Sequence, residues 1–334
     1  MALILEREAV LAVFSEAASR GWPVPAFGTE NRMTTEAILS AGKRRADELC
    51  EPALPICIAV TNRYRPRSQT LNYTHTRRWQ VGLRLLLSDL AILAGPGSPF
   101  SELRVLLHLD HISPGRDREL LGWDMGQFSS IMFDASGLDM AANVAATARF
   151  VEQEGARIVI EGACDEITEA TCSERTELTR PDRAAAYARR TGADMIVANL
   201  GTEHRARGRE RAYRADLARA IKAQIGPRLV LHGGSSLPPA EVAGLFEDGV
   251  CKVNVWTSLE RDSAGAVLEQ LITHASKVVG ARTARALASR GLLGSHADVS
   301  SARDLSYYTT HYRERLAFGR MKRIVKAYLD LWYR

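Results

Sequence analysis

The stretch VLLHLDH, residues 105–111, is an apolar run that ends in Asp110 and His111, and its form returns in MIVANLGTEH (195–204) and RLVLHGGSS (228–236). Each run is short and apolar and gives way to polar residues, the pattern of a strand buried on both faces. His111, His204 and His232 therefore stand at strand ends. Parallel strands lining one barrel carry their functional groups at their C-terminal ends, so three imidazoles far apart in the chain can converge on one metal ion.

Working outward, eight such runs recur: Val24 to Gly28, Pro55 to Thr61, Val105 to Asp110, Ser129 to Ala135, Arg157 to Ala163, Met195 to Gly201, Arg228 to Gly234 and Cys251 to Thr257. Stretches of helical or mixed character separate them. Thr34 to Leu49 opens on a threonine pair and carries apolar residues three and four apart, while Asp139 is suited to capping a helix that Gly155 ends. Strand alternating with helix argues for a parallel sheet. Eight repeats without a low-complexity linker predict a closed (β/α)8 TIM barrel over about residues 24–275, in a single domain spanning 1–334. An N-terminal helix, about residues 5–20, is expected to cap the barrel bottom. Residues 276–334, rich in Arg, Tyr and Leu, read as a C-terminal helical extension offering a surface for subunit contact.

Composition narrows the function classes. At 334 residues and 46% hydrophobic the chain can bury a large core, and it has no run near the roughly 18 apolar residues a membrane helix needs. MALILEREAVLAVF interrupts its apolar residues with Glu6, Arg7 and Glu8, as an amphipathic helix does and a signal peptide does not, so a cytoplasmic protein without a membrane partner is expected. The five cysteines form no CxxC pair and read as buried reduced thiols. The net charge of +5 is spread along helix faces of mixed sign, which argues against a nucleic-acid partner.

Given a barrel, polar residues at strand ends become site candidates: Asp110 and His111 after the third strand, Asp134 and Ser136 after the fourth, Glu161 at the fifth, Thr202 and His204 after the sixth, His232 to Ser236 after the seventh, and Asn254 and Thr257 at the eighth. In HGGSS, two glycines allow close backbone approach and successive N–H groups can form a nest for an anion ahead of Pro238. His108 lies one strand period from Asp110 and reads as a packed interior or supporting residue.

With VPAFGTEN (24–31), LHLDH (107–111), SSIMFDAS (129–136), LGTEH (200–204), LHGGSS (231–236) and KVNVWTSL (252–259) in this order, the chain resembles the class II zinc-dependent ketose-bisphosphate aldolases, which include the fructose- and tagatose-bisphosphate enzymes. The resemblance covers Val24 to about Leu259. It implies Zn2+, or another divalent transition metal, held by His111, His204 and His232, with a position open to substrate. It further implies reversible aldol cleavage of a ketose phosphate through a zinc-stabilised enediolate, with dihydroxyacetone phosphate or a close analogue as donor. Asp110 would move a proton at the aldehyde-derived oxygen, or else orient a histidine ligand. Asn254 would hydrogen-bond the enediolate, and Gly233, Ser235, Thr257 and Ser258 would bind phosphate. The family's carbon base is a glutamate on the loop after strand five; counting from Glu161 points to Glu169, with Glu166 and Glu174 as competitors. Members are commonly dimers, so a homodimer or higher homo-oligomer is expected, with Arg313, Arg315 or Arg320 available to a neighbouring site.

The chain also departs from the family pattern. Arg205 follows His204 where the family has glycine, which puts charge near the substrate phosphate and argues against the family's monovalent cation. Trp256 stands where a small or acidic residue is usual, Ala135 replaces a glycine, and Gly28 takes the place of an asparagine, although Asn31 matches a second one. These changes predict an aldolase with a shifted substrate. The alternative is a non-catalytic or regulatory descendant that binds a sugar phosphate. A metal-dependent hydrolase on the same barrel would need an HxH pair at the first strand, and VPAFG has no histidine.

Overall fold

The computed structural model describes residues 2–65, 67–166, 177–202 and 213–334. Eight strands, β1 (Val24–Gly28), β2 (Pro55–Thr61), β3 (Arg104–Ile112), β4 (Ser130–Phe133), β5 (Val159–Ala163), β6 (Met195–Val197), β7 (Leu229–Leu231) and β8 (Val250–Val255), close into a barrel in sequence order. Every neighbouring pair is parallel, and β1 joins β8 through Ala26 and Asn254. The expected (β/α)8 barrel is thus the observed fold. Burial on both faces explains why these strands read as continuous apolar runs: one face fills the barrel, the other meets the helices.

The strand ends differ from the sequence reading in one informative place. β3 runs on through His111 to Ile112, and its register against β4 shifts between Leu109 and Ile112. His111 has φ +53°, a left-handed conformation that a side-chain-bearing residue adopts at a cost. Successive strand residues face opposite sides of a sheet, so Asp110 and His111 would ordinarily diverge. The bulge instead brings both to the barrel mouth.

Side-chain caps start two of the helices named from sequence. Asn31 accepts from Thr34 N at 3.0 Å and starts the first outer helix at Arg32, two residues earlier than the threonine pair suggested. Asp139 accepts from Ala142 N at 2.9 Å, and the helix Met140–Glu154 ends at Gly155. The N-terminal helix Arg7–Ser19 lies under the barrel, opposite the histidines. Ala2 and Ile4 bond the backbone of Val105 at the start of β3, and Arg7 grips Asp194 ahead of β6 at 2.6 and 2.8 Å.

The C-terminal region returns to the barrel. After the helix Thr257–Thr273 and three short helices, the helix Thr310–Trp332 packs between Thr257–Thr273 and Arg32–Leu49, closing the outer ring over β1 and β8. Its apolar face is used on its own chain: Val325, Leu329, Trp332 and Tyr333 are buried, Trp332 Nε1 donates to Val242 O at 2.7 Å, and Tyr333 OH donates to Pro55 O at 2.8 Å. No helix among the described residues is long and apolar enough to cross a membrane.

Replacing Trp332 with alanine removes a buried ring and leaves the Val242 carbonyl without its donor. Equilibrium denaturation should show a loss of about 3–5 kcal/mol; a loss below about 1 kcal/mol would mean that the helix is docked by its other contacts.

Candidate active site

The left-handed turn at His111 places its imidazole 4.9 Å, centroid to centroid, from that of His232, which follows β7. Ligand atoms of Asp110, His111 and His232 lie within 4.8 Å of one another, and all three residues are buried. His111 Nδ1 meets Asp134 Oδ2 at 3.0 Å, and Tyr64 stacks on the ring at 4.2 Å. A carboxylate on Nδ1 selects the tautomer whose lone pair is on Nε2, and raises the basicity of that nitrogen. Two imidazoles and a carboxylate, one imidazole so oriented, suit a borderline divalent ion such as zinc. Burial opposes ionisation of Asp134, but the bond to and attraction by His111, together with the bonds from Ser136, outweigh this and hold the carboxyl below its usual range.

Asp110 sits at the centre of a polar chain across the barrel mouth. Its Oδ1 accepts from Asn254 Nδ2 at 3.0 Å and its Oδ2 from Arg67 at 2.7 Å. Burial again works against the charge, yet His111, His232 and Arg67 together keep this carboxyl well below the ordinary aspartate value. One strand period deeper, His108 is fully buried with Nδ1 on Ser130 Oγ at 2.9 Å. Burial, and then the charge of Lys252, hold His108 neutral.

Beside this chain the loop after β7 turns through Gly233 at φ +73°, where a side chain would be strained. Gly233, Ser235 and Thr257 line one cleft with Asp110, His232 and Asn254. Ser258 is buried behind them, its Oγ on Ser235 Oγ at 3.3 Å and on Tyr328 OH at 3.2 Å. Thr257 opens a 17-residue helix whose N-cap, Trp256, gives no side-chain cap. Its first N–H groups and positive dipole end thus face the cleft.

The sequence profile described as fructose-bisphosphate aldolase class-II matches residues 8–291. The chain belongs to the class II fructose-bisphosphate aldolase family. It is 26% identical over 263 residues to the sulfofructosephosphate aldolase of Alkalicoccus urumqiensis, covering 74% of this chain and 79% of that one. It is 28% identical over 291 residues to the fructose-bisphosphate aldolase of Thermus caldophilus, covering 78% and 86%. The match to YdjI of Escherichia coli K12, 29% over 172 residues, spans 49% of this chain and 60% of that protein. The crystal structure of the Campylobacter jejuni fructose-bisphosphate aldolase shares the fold, with TM-score 0.72, 18% identity and coverage of 99% and 95%.

Several departures of this class II family member turn out to be one packed unit. A Cβ on Gly28 would lie 2.9 and 3.0 Å from Trp256 side-chain atoms, so the tryptophan occupies the space an asparagine would take. Arg67 lies over the Trp256 ring, 4.6 Å from its centroid, while it pairs with Asp110. Arg67, Tyr64 and the Asp134 contact went unforeseen in these roles. The one signal for Arg67 was the arginine-rich run after β2, NRYRPR (62–67). Of the other expected site residues, Glu169, Glu174, His204 and Arg205 lie outside the described residues, and Glu161 faces the barrel interior, fully buried.

Behind Trp256, Glu30 accepts from Gln69 at 3.0 Å, and burial pushes its carboxyl up. Burial, reinforced by Glu30, raises Glu260 to about 7.

Two tests follow. Gly28→Ala forces Trp256 to move and should cost about 1–3 kcal/mol, a cost that Trp256→Ala in the same chain should largely remove; equal costs in both backgrounds would rule out the clash. For Glu260, the folded state holds a proton above pH 4.5 that the unfolded chain releases, so its contribution to stability is full below 4.5 and is lost as pH rises through about 7. Glu260→Gln should flatten the stability profile between these values; an unchanged slope would assign it to another group.

Proposed function

We propose that this chain is a metal-dependent lyase of the class II aldolase type. It would catalyse reversible aldol cleavage and condensation of a ketose phosphate, with dihydroxyacetone phosphate or a close analogue as donor. The observation that carries the reading is the meeting of Asp110, His111 and His232 within 4.8 Å beside the cleft of Gly233, Ser235 and Thr257. His204, in the stretch outside the described residues, is the expected third imidazole. When bound, zinc or a similar divalent ion supplies the Lewis acidity that stabilises enediolate charge.

The chain's own residues supply the rest. Gly233, Ser235 and the start of the helix at Thr257 take the donor phosphate through N–H and hydroxyl donors, with Ser258 bracing Ser235. Asn254 Nδ2 spends one N–H on Asp110 and presents its second to a donor oxygen. Asp110, beside Asn254 at the barrel mouth, is the proposed group that accepts the hydroxyl proton in cleavage and returns it in condensation. Glu169 is the proposed base at the donor carbon, with Glu166 and Glu174 as alternatives, and Arg205 is placed near the phosphate.

The Gly28, Trp256 and Arg67 unit reshapes the wall next to Asp110, which supports a shifted substrate. The related sulfofructosephosphate and fructose-bisphosphate aldolases differ, by their names, in the ketose phosphate they use. The enzyme is proposed to act in the cytoplasm as a homodimer or higher homo-oligomer on a small sugar phosphate, with no nucleic-acid partner and no monovalent cation.

Dihydroxyacetone phosphate incubated in deuterated water with the zinc-loaded protein should exchange its carbon-bound protons. A chelator should abolish that exchange, and metal analysis should find near one zinc per chain. Donor binding with no exchange by the zinc-loaded protein would sink the catalytic reading in favour of a sugar-phosphate-binding descendant.

A further inference from the structure

Lys252 and Asn254 lie two residues apart on β8 and so face the same side of the strand, into the barrel. Lys252 is fully buried. Its Nζ donates to Asn254 Oδ1 at 2.6 Å and stands 2.9 Å from Glu161 Oε1, an ion pair rather than an aligned hydrogen bond. Glu161, on β5, is likewise fully buried. On the other side of the amide, Asn254 Nδ2 donates to Asp110 Oδ1 at 3.0 Å.

The chemistry of these neighbours permits one orientation of the amide. An ammonium only donates and an ionised carboxylate only accepts, so an asparagine held between them turns its oxygen to the lysine and its nitrogen to the aspartate. Reversed, the amide oxygen would face the Asp110 carboxylate and the NH2 group would face Lys252, and both contacts would be repulsive. The same orientation decides whether a donor or an acceptor reaches the cleft.

Stability gives little reason for the arrangement. Desolvating two charges costs several kcal/mol, and a buried ion pair is often no more stabilising than apolar side chains of the same volume. The alternating chain of Glu161, Lys252, Asn254 and Asp110 instead accounts for a lysine at the floor of the site.

We infer that Lys252, held in place by Glu161, is a positioning residue that locks the Asn254 amide with its N–H groups toward Asp110 and the bound donor. This deepens the aldolase reading and rests on it for the identity of the substrate oxygen that Asn254 meets. The orientation of the amide does not depend on that reading.

The test uses the charge-balanced pair Lys252→Met with Glu161→Gln, because the lysine change alone would strand a buried carboxylate. In the zinc-loaded protein, the rate of donor C–H exchange should fall about 10- to 100-fold. Adding Asn254→Ala to this pair should cost little more, since the lysine acts through the amide. Costs that multiply in full would show that Lys252 acts by another route.

A crystal structure of the Lys252→Met/Glu161→Gln protein gives a readout free of turnover: the Asn254 amide should leave its contact with Asp110, and an amide unmoved in that contact would overturn the proposal. Should the pair fail to fold, the wild-type protein still decides. Its Asn254 side-chain amide protons, assigned by their loss in Asn254→Ala, should exchange slowly with solvent and resonate away from the NMR shifts of exposed asparagines, and rapid exchange at ordinary shifts would refute a lock. A wild-type protein that exchanges no donor protons would remove the aldolase reading, while the crystal structure and the NMR signals would still report on the lock.

Discussion

The constraint on which the site depends is the left-handed backbone at His111. A regular β3 would send Asp110 and His111 to opposite faces of the sheet, one into the barrel and one toward the helices. The bulge costs about 1–2 kcal/mol in backbone energy for a residue with a side chain. The Asp134 bond and the Tyr64 stack hold the imidazole once it is turned. From that placement follow the approach to His232 and the cluster that suits a divalent ion. Local strain at a functional position, over-determined by its surroundings, is the expected pattern.

A second dependency joins residues that look independent along the chain. Gly28 on β1, Arg67 after β2 and Trp256 after β8 form one wall, because β1 pairs with both β2 and β8. Losing a side chain at residue 28 makes the room that Trp256 fills, and Trp256 provides the face over which Arg67 lies while it reaches Asp110. Asp110, His111 and His232 are left in place. Change in a wall beside a retained polar cluster is how one reaction type can be kept while the substrate differs.

Much of the fold was legible from residue pattern. Eight apolar runs marked the eight strands, and β1 and β2 fall where the runs do, because strands buried on both faces cannot alternate polar and apolar residues. Strand ends were less legible. The runs read at 195–201 and 228–234 reach past the last ladder bond, so β6 and β7 are shorter than they read. The C-terminal region read as an extension, since nothing local says which surface a helix will cover. It supplies the last piece of the outer ring and brings Tyr328 to Ser258.

For the site, residue types at strand ends were enough to nominate Asp110, His111, His232 and Asn254, because a parallel barrel sends strand ends to one mouth. Sequence by itself therefore determined the barrel, the family it belongs to and the strand-end residues that gather at one mouth. The partnerships were decided by tertiary structure alone: Asp134 on His111, Arg67 on Asp110, Trp256 over Gly28, and Lys252 with Glu161 behind Asn254. The physical reason is one of range. Periodicity and turn chemistry act over a few residues, whereas each of these contacts joins groups from different strands or loops, whose separation is set only when the barrel closes and β3 bulges.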